Sequence, residues 1–358
     1  MRKCYTRPCN FHYGIYATKL IQRKKGLPLA GNSKIAFNAI EVFWRKKNGK
    51  TKNKYYLIDN INELDKESYN VVQNDIKKIS QERKDILGIN FNKPQIMGVL
   101  NITPDSFSDG GLFFDESKAY DQAQLMINNG ATIIDIGGES TRPGSKTISA
   151  KNEWNRIKNT IINLKKKFPK TLLSLDTRKS FVMNKGKENG INIINDVSGL
   201  KFDKKSFKFI NEKKVPFVLH HMQGSPSTMQ KNPKYQDALL DIFDFFEEKI
   251  NFVTKKKYNK KFIILDPGIG FGKNLNHNLR IMSKISTFHS LGCPILIGTS
   301  RKRFIEHIVT KFDTPDRTGG TLASVLYGLS QGVQLFRVHN VKEINQGMLV
   351  FNKILNTN

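Results

Sequence analysis

Asp176, Asp266, Arg337 and His339 are the residues around which chemistry could be built. Asp176 follows the apolar run Leu172–Leu175, and Asp266 follows Phe262–Leu265. A carboxylate that closes a buried strand needs a partner. A neighbouring Lys or Arg would serve, and so would a ligand with adjacent N–H donors, such as the edge of a guanidine-like ring. Arg337 and His339 stand two apart at the end of another run, so both project to one face of a strand. With Arg142, Arg301 and Lys302 they make a cationic set suited to phosphate. No Cys–His pair or Gly-x-Ser-x-Gly elbow suggests covalent catalysis. The carboxylates sit among amide and cationic groups, which favours binding over glycoside hydrolysis.

The elements that must position these residues begin at Asn92. From there, short runs rich in Ile, Leu and Val alternate with longer helix-patterned segments. The runs are Ile96–Leu100, Thr132–Ile136, Leu172–Leu175, Ile191–Ile194, Val215–Leu219, Phe262–Leu265, Ile295–Ile297 and Gln334–Val338. Unbroken apolarity suits parallel strands buried on both faces. Gly130, Gly190, Gly292 and Gly332 stand just before strands, where a left-handed residue ends the preceding helix. Eight such units in about 265 residues predict an α/β fold, a (β/α)8 TIM barrel. An open doubly wound sheet is the alternative, and no Gly-x-Gly-x-x-Gly follows the first strand to support a dinucleotide-binding version.

Barrel active sites form at the C-terminal strand ends. Each run is followed there by polar residues: Asn101; Asp135 and Gly137–Gly144; Asp176; Asn195 and Asp196; His220 and His221; Asp266 to Lys273; Ser300 to Lys302; Arg337 and His339. One such residue alone would be a helix cap or a turn. All eight at the same end point to a site. The stretch "GVLNITPDSFSDGG", residues 98 to 111, is then a loop of that site, based at Asn101.

Composition narrows the class. Lys and Arg number 59 against 31 Asp and Glu, a formal charge of +28. Nucleic-acid binding is one reading of that charge, but the lysines are spread through every segment. The tracts Lys165–Lys167 and Lys255–Lys257 fall near helix ends, where a solvated face is ordinary, so no nucleic-acid partner is expected. No apolar run approaches the ~20 residues that span a bilayer, and no signal-peptide core is present. Three cysteines fit a reducing, cytoplasmic setting. Cys4, Cys9 and His12 are too few and too loosely spaced for a structural zinc site. Before Glu41 there is no acidic residue, which fits a transit peptide or a basic arm folded onto a larger domain. Apolar stretches at Ile40–Trp44 and Tyr55–Ile58, with a helical stretch from Glu63 to Leu87, suggest a small appended subdomain. The expected division is residues 1–91, a basic extension without an assigned role, and residues 92–358, the catalytic barrel.

Eight stretches carry a resemblance: "MGVLNITPDSFSDGG", "GATIIDIGGESTRPGS", "SLDTRKS", "NIINDVSG", "HMQGSPSTMQ", "LDPGIGFGK", "IGTSRKRF" and "FRVHNV". They run from about Ile96 to Val341, roughly three-quarters of the chain. This pattern resembles the dihydropteroate synthases of the pterin-binding barrel group. The resemblance implies condensation of 6-hydroxymethyl-7,8-dihydropterin diphosphate with 4-aminobenzoate, with release of pyrophosphate and a requirement for Mg2+. It implies that Asp176, Asn195, Asp266 and Lys302 read the pterin. Asn101, Arg142, Arg337 and His339 would bind the diphosphate, with Asn101 also touching the metal. Phe107, Thr141, Phe271 and Ser300 would frame 4-aminobenzoate. Asp109, Arg142, Lys302, Arg337 and His339 form the implied catalytic set. Two loops, Thr103 to Gly111 and Thr141 to Ser145, would close over a dissociative step. A homodimer and competition by sulfonamides at the aminobenzoate pocket are also implied. His220 departs from the family, which often has Met there. A methyltetrahydrofolate-binding methyltransferase would need no Arg337–His339 phosphate site, and a silent paralogue would have lost lid or phosphate residues.

Overall fold

The computed structural model describes residues 2–46, 50–103, 116–309 and 316–357. Phe107 and Asp109, named above for the first loop, lie outside the described residues.

The first part of the chain folds as a layer. Strand β1 (Cys4–Tyr13) leads to helix α1 (Gly14–Gln22), strands β2 (Leu27–Leu29), β3 (Asn32–Arg45) and β4 (Thr51–Leu57), and helix α2 (Lys66–Ser80). β3 is the spine: β1 pairs antiparallel along it, while β2 and β4 pair with successive parts of it. Side chains alternate across a sheet, and the two faces have different jobs. Cys4, Phe37, Ile40 and Val42 pack with Val72, Ile76 and Ile79 of α2. Tyr5 and Phe43 join the main core instead. Residues before Glu41 are therefore sheet and helix, where an arm was one expectation. The helix expected over Glu63 to Leu87 is shorter. Asp65 caps its start by accepting from Glu67 and Ser68 N–H groups. Arg83 closes its end by donating to the Lys78 carbonyl at 2.8 Å, and reaches the His289 carbonyl at 3.0 Å.

The remainder is the barrel. Its strands are β5 (Gln95–Asn101), β6 (Ile133–Gly137), β7 (Leu172–Asp176), β8 (Ile193–Asp196), β9 (Phe217–His220), β10 (Ile263–Asp266), β11 (Leu296–Ile297) and β12 (Leu335–Val338). Each agrees with its expected run to within two residues. All pair in parallel, in the order β10-β9-β8-β7-β6-β5-β12-β11. A Leu265–Ile295 bridge brings β10 to β11 and closes the ring. Between the strands run α3 (Glu116–Asn128), α4 (Ala150–Lys167), α5 (Ser180–Glu188), α6 (Ser206–Lys213), α7 (Ala238–Lys255), α8 (Leu275–Ser283), α9 (Arg303–Ile308) and α10 (Thr318–Ser330). α11 (Val341–Leu355) follows β12. Gly130, Gly190, Gly292 and Gly332 all take positive φ, as their places before strands require. No helix among the described residues is long and apolar enough to cross a membrane.

Strand parity positions the site. Met97, Ile133, Ile193, Val218, Ile264, Leu296 and Leu335 point inward and form a floor, plugged from below by Ile86, Ile89 and Phe91. Their neighbours, such as Ile96, Ile134, Ile194, Leu219 and Leu265, pack outward against the helices. Two residues beyond the floor, on the same face, stand Asp135, Asn195, His220, Asp266 and Arg337. Four beyond it stand Asn101, Ser300 and His339, and Asp176 stands four beyond the inward Leu172. A one-residue slip would send every one of these groups into the helix layer.

Candidate active site

Arg337 lies at the centre. Its Nε donates to Asp135 Oδ2 at 2.7 Å and its Nη2 to Asp176 Oδ2 at 2.9 Å. Asn195 Nδ2 donates to the same Asp135 oxygen at 3.0 Å. The site thus brings Asp176, Asn195 and Arg337 together through Asp135. Asp135 was expected to follow its strand, but it stands inside β6 and is 0% exposed. Burial, with Asp135 close by, pushes the Asp176 carboxyl up, and Arg337 pulls it back. Asp135 Oδ1, Asn195 Oδ1 and Ser174 Oγ are buried with no hydrogen-bond partner among the described residues. Buried polar atoms are rarely left so, and all three belong to inward positions of adjacent strands.

The second carboxylate faces them from β10. Asp266 Oδ1 accepts from the Gly268 N–H at 2.7 Å. That turn requires glycine: Gly268 has φ +68°, and a Cβ there would stand 2.0 Å from the His221 carbonyl oxygen. His220 donates from Nδ1 to the Val197 carbonyl at 3.0 Å, which leaves Nε2 an acceptor 3.9 Å from Asp266 Oδ2. Burial, then the nearby Lys302 and Lys273, keeps this imidazole neutral. Lys302 Nζ donates to the Ile269 carbonyl and sits 4.2 Å from the centroid of the Phe271 ring. His220 meets the same ring edge-on at 4.6 Å. Burial lowers the Lys302 ammonium to about 7, against the pull of Asp266, and Arg337 lowers it further.

This last shift has a measurable sign. Between about pH 7 and 10.5 the unfolded chain binds the Lys302 proton better than the folded one, so stability rises with pH across that window. A ligand that presents a carbonyl to Lys302 will favour the ammonium. Binding at pH 8 should then take up a fraction of a proton approaching one per site, read by calorimetry in buffers of different ionisation enthalpy. A binding heat independent of the buffer would remove Lys302 from the ligand contacts.

At the ends of β11 and β12, Ser300 Oγ accepts from the His339 backbone N–H at 3.2 Å and lies 3.0 Å from His339 Nδ1. In the tautomer where the Ser300 hydroxyl donates to Nδ1, Nε2 carries the ring hydrogen, a donor suited to an anion. Burial, then Arg337, Arg301, Lys302 and Arg142, lowers the imidazole to about 3, so it stays neutral at physiological pH. Arg142 is thus within electrostatic reach of His339, although its own side chain is exposed.

The pterin binding enzyme family model matches residues 97–339. The dihydropteroate synthase of Escherichia coli (strain K12) is 39% identical over 262 residues, covering 73% of this chain and 92% of that protein. That of Bacillus subtilis (strain 168) is 41% identical over 266 residues, covering 74% of this chain and 90% of that protein. A crystal structure of Yersinia pestis dihydropteroate synthase with a sulfonamide drug complex superposes with a TM-score of 0.70 at 38% identity, covering 75% of this chain and 96% of that one. The chain belongs to the dihydropteroate synthase family.

Membership of the dihydropteroate synthase family makes the chain a transferase. The family match starts at Met97, so β1 to β4, α1 and α2 lie outside it. Inside it, the structure adds to what motif reading gave. Asp135 stood in a quoted motif without a role, because a lone Asp in an apolar run looks like part of the strand. Its signal was parity, two residues from the inward Ile133. Lys273 was likewise named after its strand without a role. It is 3% exposed, and its Nζ lies 2.9 Å from the Phe271 carbonyl, 3.0 Å from His221 Nδ1 and 3.3 Å from the His221 carbonyl. Burial holds the Lys273 ammonium well below the usual lysine range, and its nitrogen ties the backbone that carries Phe271 to that of His221. Thr141 and Arg142 lie on the loop after β6, apart from the inward set. That loop touches the one after β9 through a Gly144 N–H to Pro226 carbonyl bond of 3.1 Å.

Proposed function

We propose that this transferase joins 6-hydroxymethyl-7,8-dihydropterin diphosphate to 4-aminobenzoate, giving 7,8-dihydropteroate and pyrophosphate for folate synthesis. The observation that carries this reading is the row of buried acceptor atoms. Asp135 Oδ1, Asn195 Oδ1 and Ser174 Oγ lack partners among the described residues, beside Asp176 and opposite Asp266. A flat ligand edged with amino and ring N–H groups would satisfy them. In this reading Asp266 accepts from the 2-amino and N3–H edge, Asp176 and Asn195 hold the opposite edge, and Lys302 donates to the ring carbonyl. Asn101, Arg142, Arg337 and His339 bind the diphosphate. Thr141, Phe271 and Ser300 frame 4-aminobenzoate, joined by Phe107; Asp109 completes the lid.

The residues present fit a divalent cation shared with substrate, and magnesium is the one we propose. Asn101 offers a single neutral oxygen, 3.4 Å from where a Cβ on Gly137 would stand. No cluster of three His, Cys, Asp or Glu among the described residues could hold a metal alone. Mg2+ commonly keeps waters and takes the rest of its shell from substrate phosphates. Bound beside Asn101, it would supply positive charge to the leaving group.

The step is dissociative. The bond from the methylene carbon to the diphosphate oxygen breaks, and its electron pair leaves with pyrophosphate. Arg337 and the Nε2–H of His339 stabilise that charge. The electron-rich pterin ring supports the methylene cation, with Asp176 and Asp266 close by. The amine nitrogen of 4-aminobenzoate then forms the new C–N bond and loses a proton. The lid loops exclude water from the cation. A homodimer, a cytoplasmic setting, sulfonamide competition at the aminobenzoate pocket and the division at residues 91 and 92 belong to the same proposal.

The test is pyrophosphate release by purified protein given the pterin diphosphate, 4-aminobenzoate and magnesium. Release should depend on 4-aminobenzoate. No release, with pterin binding intact by calorimetry, would replace the synthase with a silent pterin-binding protein.

A further inference from the structure

Behind the loop after β6 lies a cluster of four buried charges in which none touches the inward set. Glu139, two residues after β6, is 6% exposed. Its Oε2 accepts from Arg178 Nε at 3.0 Å, and its Oε1 accepts from Lys179 Nζ at 2.7 Å and from the Ile148 N–H at 3.0 Å. Lys179 also pairs with Glu153, in the first turn of α4. Arg178 reaches forward from Nη2 to Thr147 Oγ1 at 3.1 Å and lies 4.1 Å from the centroid of the Phe202 ring. Arg156 donates to the Gly138 carbonyl at 3.0 Å.

Both ends of one loop are therefore tied to a single ionic knot. Glu139 forms its first end, with Gly138 before it held separately by Arg156, and Thr147 and Ile148 form its last. Residues 140–146 between them carry Thr141 and Arg142. The cations of the knot follow Asp176 by two and three residues, so the same short stretch of chain ends in the pterin-facing carboxylate and holds the loop. Such a knot offers little stability over an apolar packing of the same volume. What it provides is a fixed separation and direction at the loop base.

We propose that Glu139, Arg178 and Lys179 are positioning residues that act through residues 140–146, setting where Thr141 and Arg142 stand over the reacting groups. This rests on the roles proposed above for Thr141 and Arg142. The knot touches no substrate. Its loss should change how the second substrate is held while leaving pterin binding in place.

The test uses the full chain with four substitutions. Glu139→Gln keeps the volume and removes the charge shared by both cations. Thr147→Val removes the Arg178 acceptor at an exposed position. Thr147→Ser restores that acceptor, and Arg142→Ala reports directly on the loop. Expected for Glu139→Gln is a rise of about tenfold or more in KM for 4-aminobenzoate, with pterin affinity by calorimetry changed by less than about twofold. Tryptic cleavage after Lys146 should speed up in parallel. Thr147→Val should move both readouts the same way by less, and Thr147→Ser should return them to the parent values. A folded Glu139→Gln protein with parent KM and cleavage rate would overturn the proposal. If Glu139→Gln does not fold, parent behaviour of Thr147→Val overturns it equally. Arg142→Ala separates the two levels. An effect there with silent knot variants removes the positioning role alone. A silent Arg142→Ala removes the proposed loop role, and the positioning role with it.

Discussion

Replacing Arg337 with Met will lower pyrophosphate release by about 10²–10³-fold, the usual cost of deleting one preorganised donor to a developing anion. It will also destabilise the fold by about 3–5 kcal/mol, because removing one side of a buried ion pair strands the other. The two losses share one cause: Arg337 bonds Asp135 and Asp176 at 2.7 and 2.9 Å and is also the cation proposed to meet the leaving diphosphate. They separate by pH. Asp176 already has its carboxyl pushed up by burial, and without Arg337 it will rise further. A raised carboxyl gives stability that is present below its unfolded value and lost as pH rises through its folded value. The deficit of the variant, read by urea titration, should therefore grow from acid to neutral pH. The loss of turnover should persist at every pH where the parent works. A stability deficit flat across pH would mean that Arg337 does not act as the counter-ion of Asp176.

Asp266→Asn should weaken pterin binding by about 10²–10³-fold and leave the fold intact. A site built around a hydrogen-bond set rejects a ligand it can no longer match far more strongly than an apolar pocket would. One carboxylate oxygen is fixed by the Gly268 N–H, and the other lies 3.9 Å from the His220 Nε2 acceptor. An amide placed there can satisfy both neighbours, its oxygen on the Gly268 N–H and its NH2 toward the His220 Nε2 acceptor, but it then has no acceptor left to offer the ligand on that side. That NH2 also repels the ligand's own donors. Lys302 also loses its nearest opposing charge, so its ammonium should fall below about 7 and the proton uptake on binding should grow at pH 7. Calorimetry reads both quantities. Parent affinity in Asp266→Asn would mean that the pterin edge is read elsewhere, with Asp176 and Asn195 the remaining candidates.

The barrel was legible because buried parallel strands are spelled in unbroken Ile, Leu and Val, and a polar residue marks the end of each. Asp176, Asp266, Arg337 and His339 were visible for that reason. Asp135 was named with the strand-end residues but given no role, since it stands inside the run Thr132–Ile136. Only the inward phase of Ile133, known from its contacts with the other floor residues, shows that it faces the ligand. Glu139 and its partners Arg178 and Lys179 are 39 and 40 residues apart in sequence. Pairing at that range belongs to the parallel neighbours β6 and β7 and cannot be seen in either motif alone. The first 91 residues were the least legible. β3 is covered on both faces, by α2 and by the barrel, so its apolar pattern has no clean alternation, and its charged Glu41 and Arg45 read as surface.

Those charges also bear on how the chain is made. Arg2 pairs with Glu247, Tyr5 with Asp244, and Arg45 with Asp241 and Asp244, all on α7. Arg2 and Glu247 are 245 residues apart. At about 5–20 residues per second, synthesis separates them by roughly 12–49 s. The four-stranded sheet can collapse on α2 within that interval, but its other face, with Tyr5 and Phe43, has nothing to cover it until α7 emerges. A nascent chain stalled before residue 238 would carry a folded, basic, half-bare sheet, and that is the stage at which a chaperone would find the most to hold.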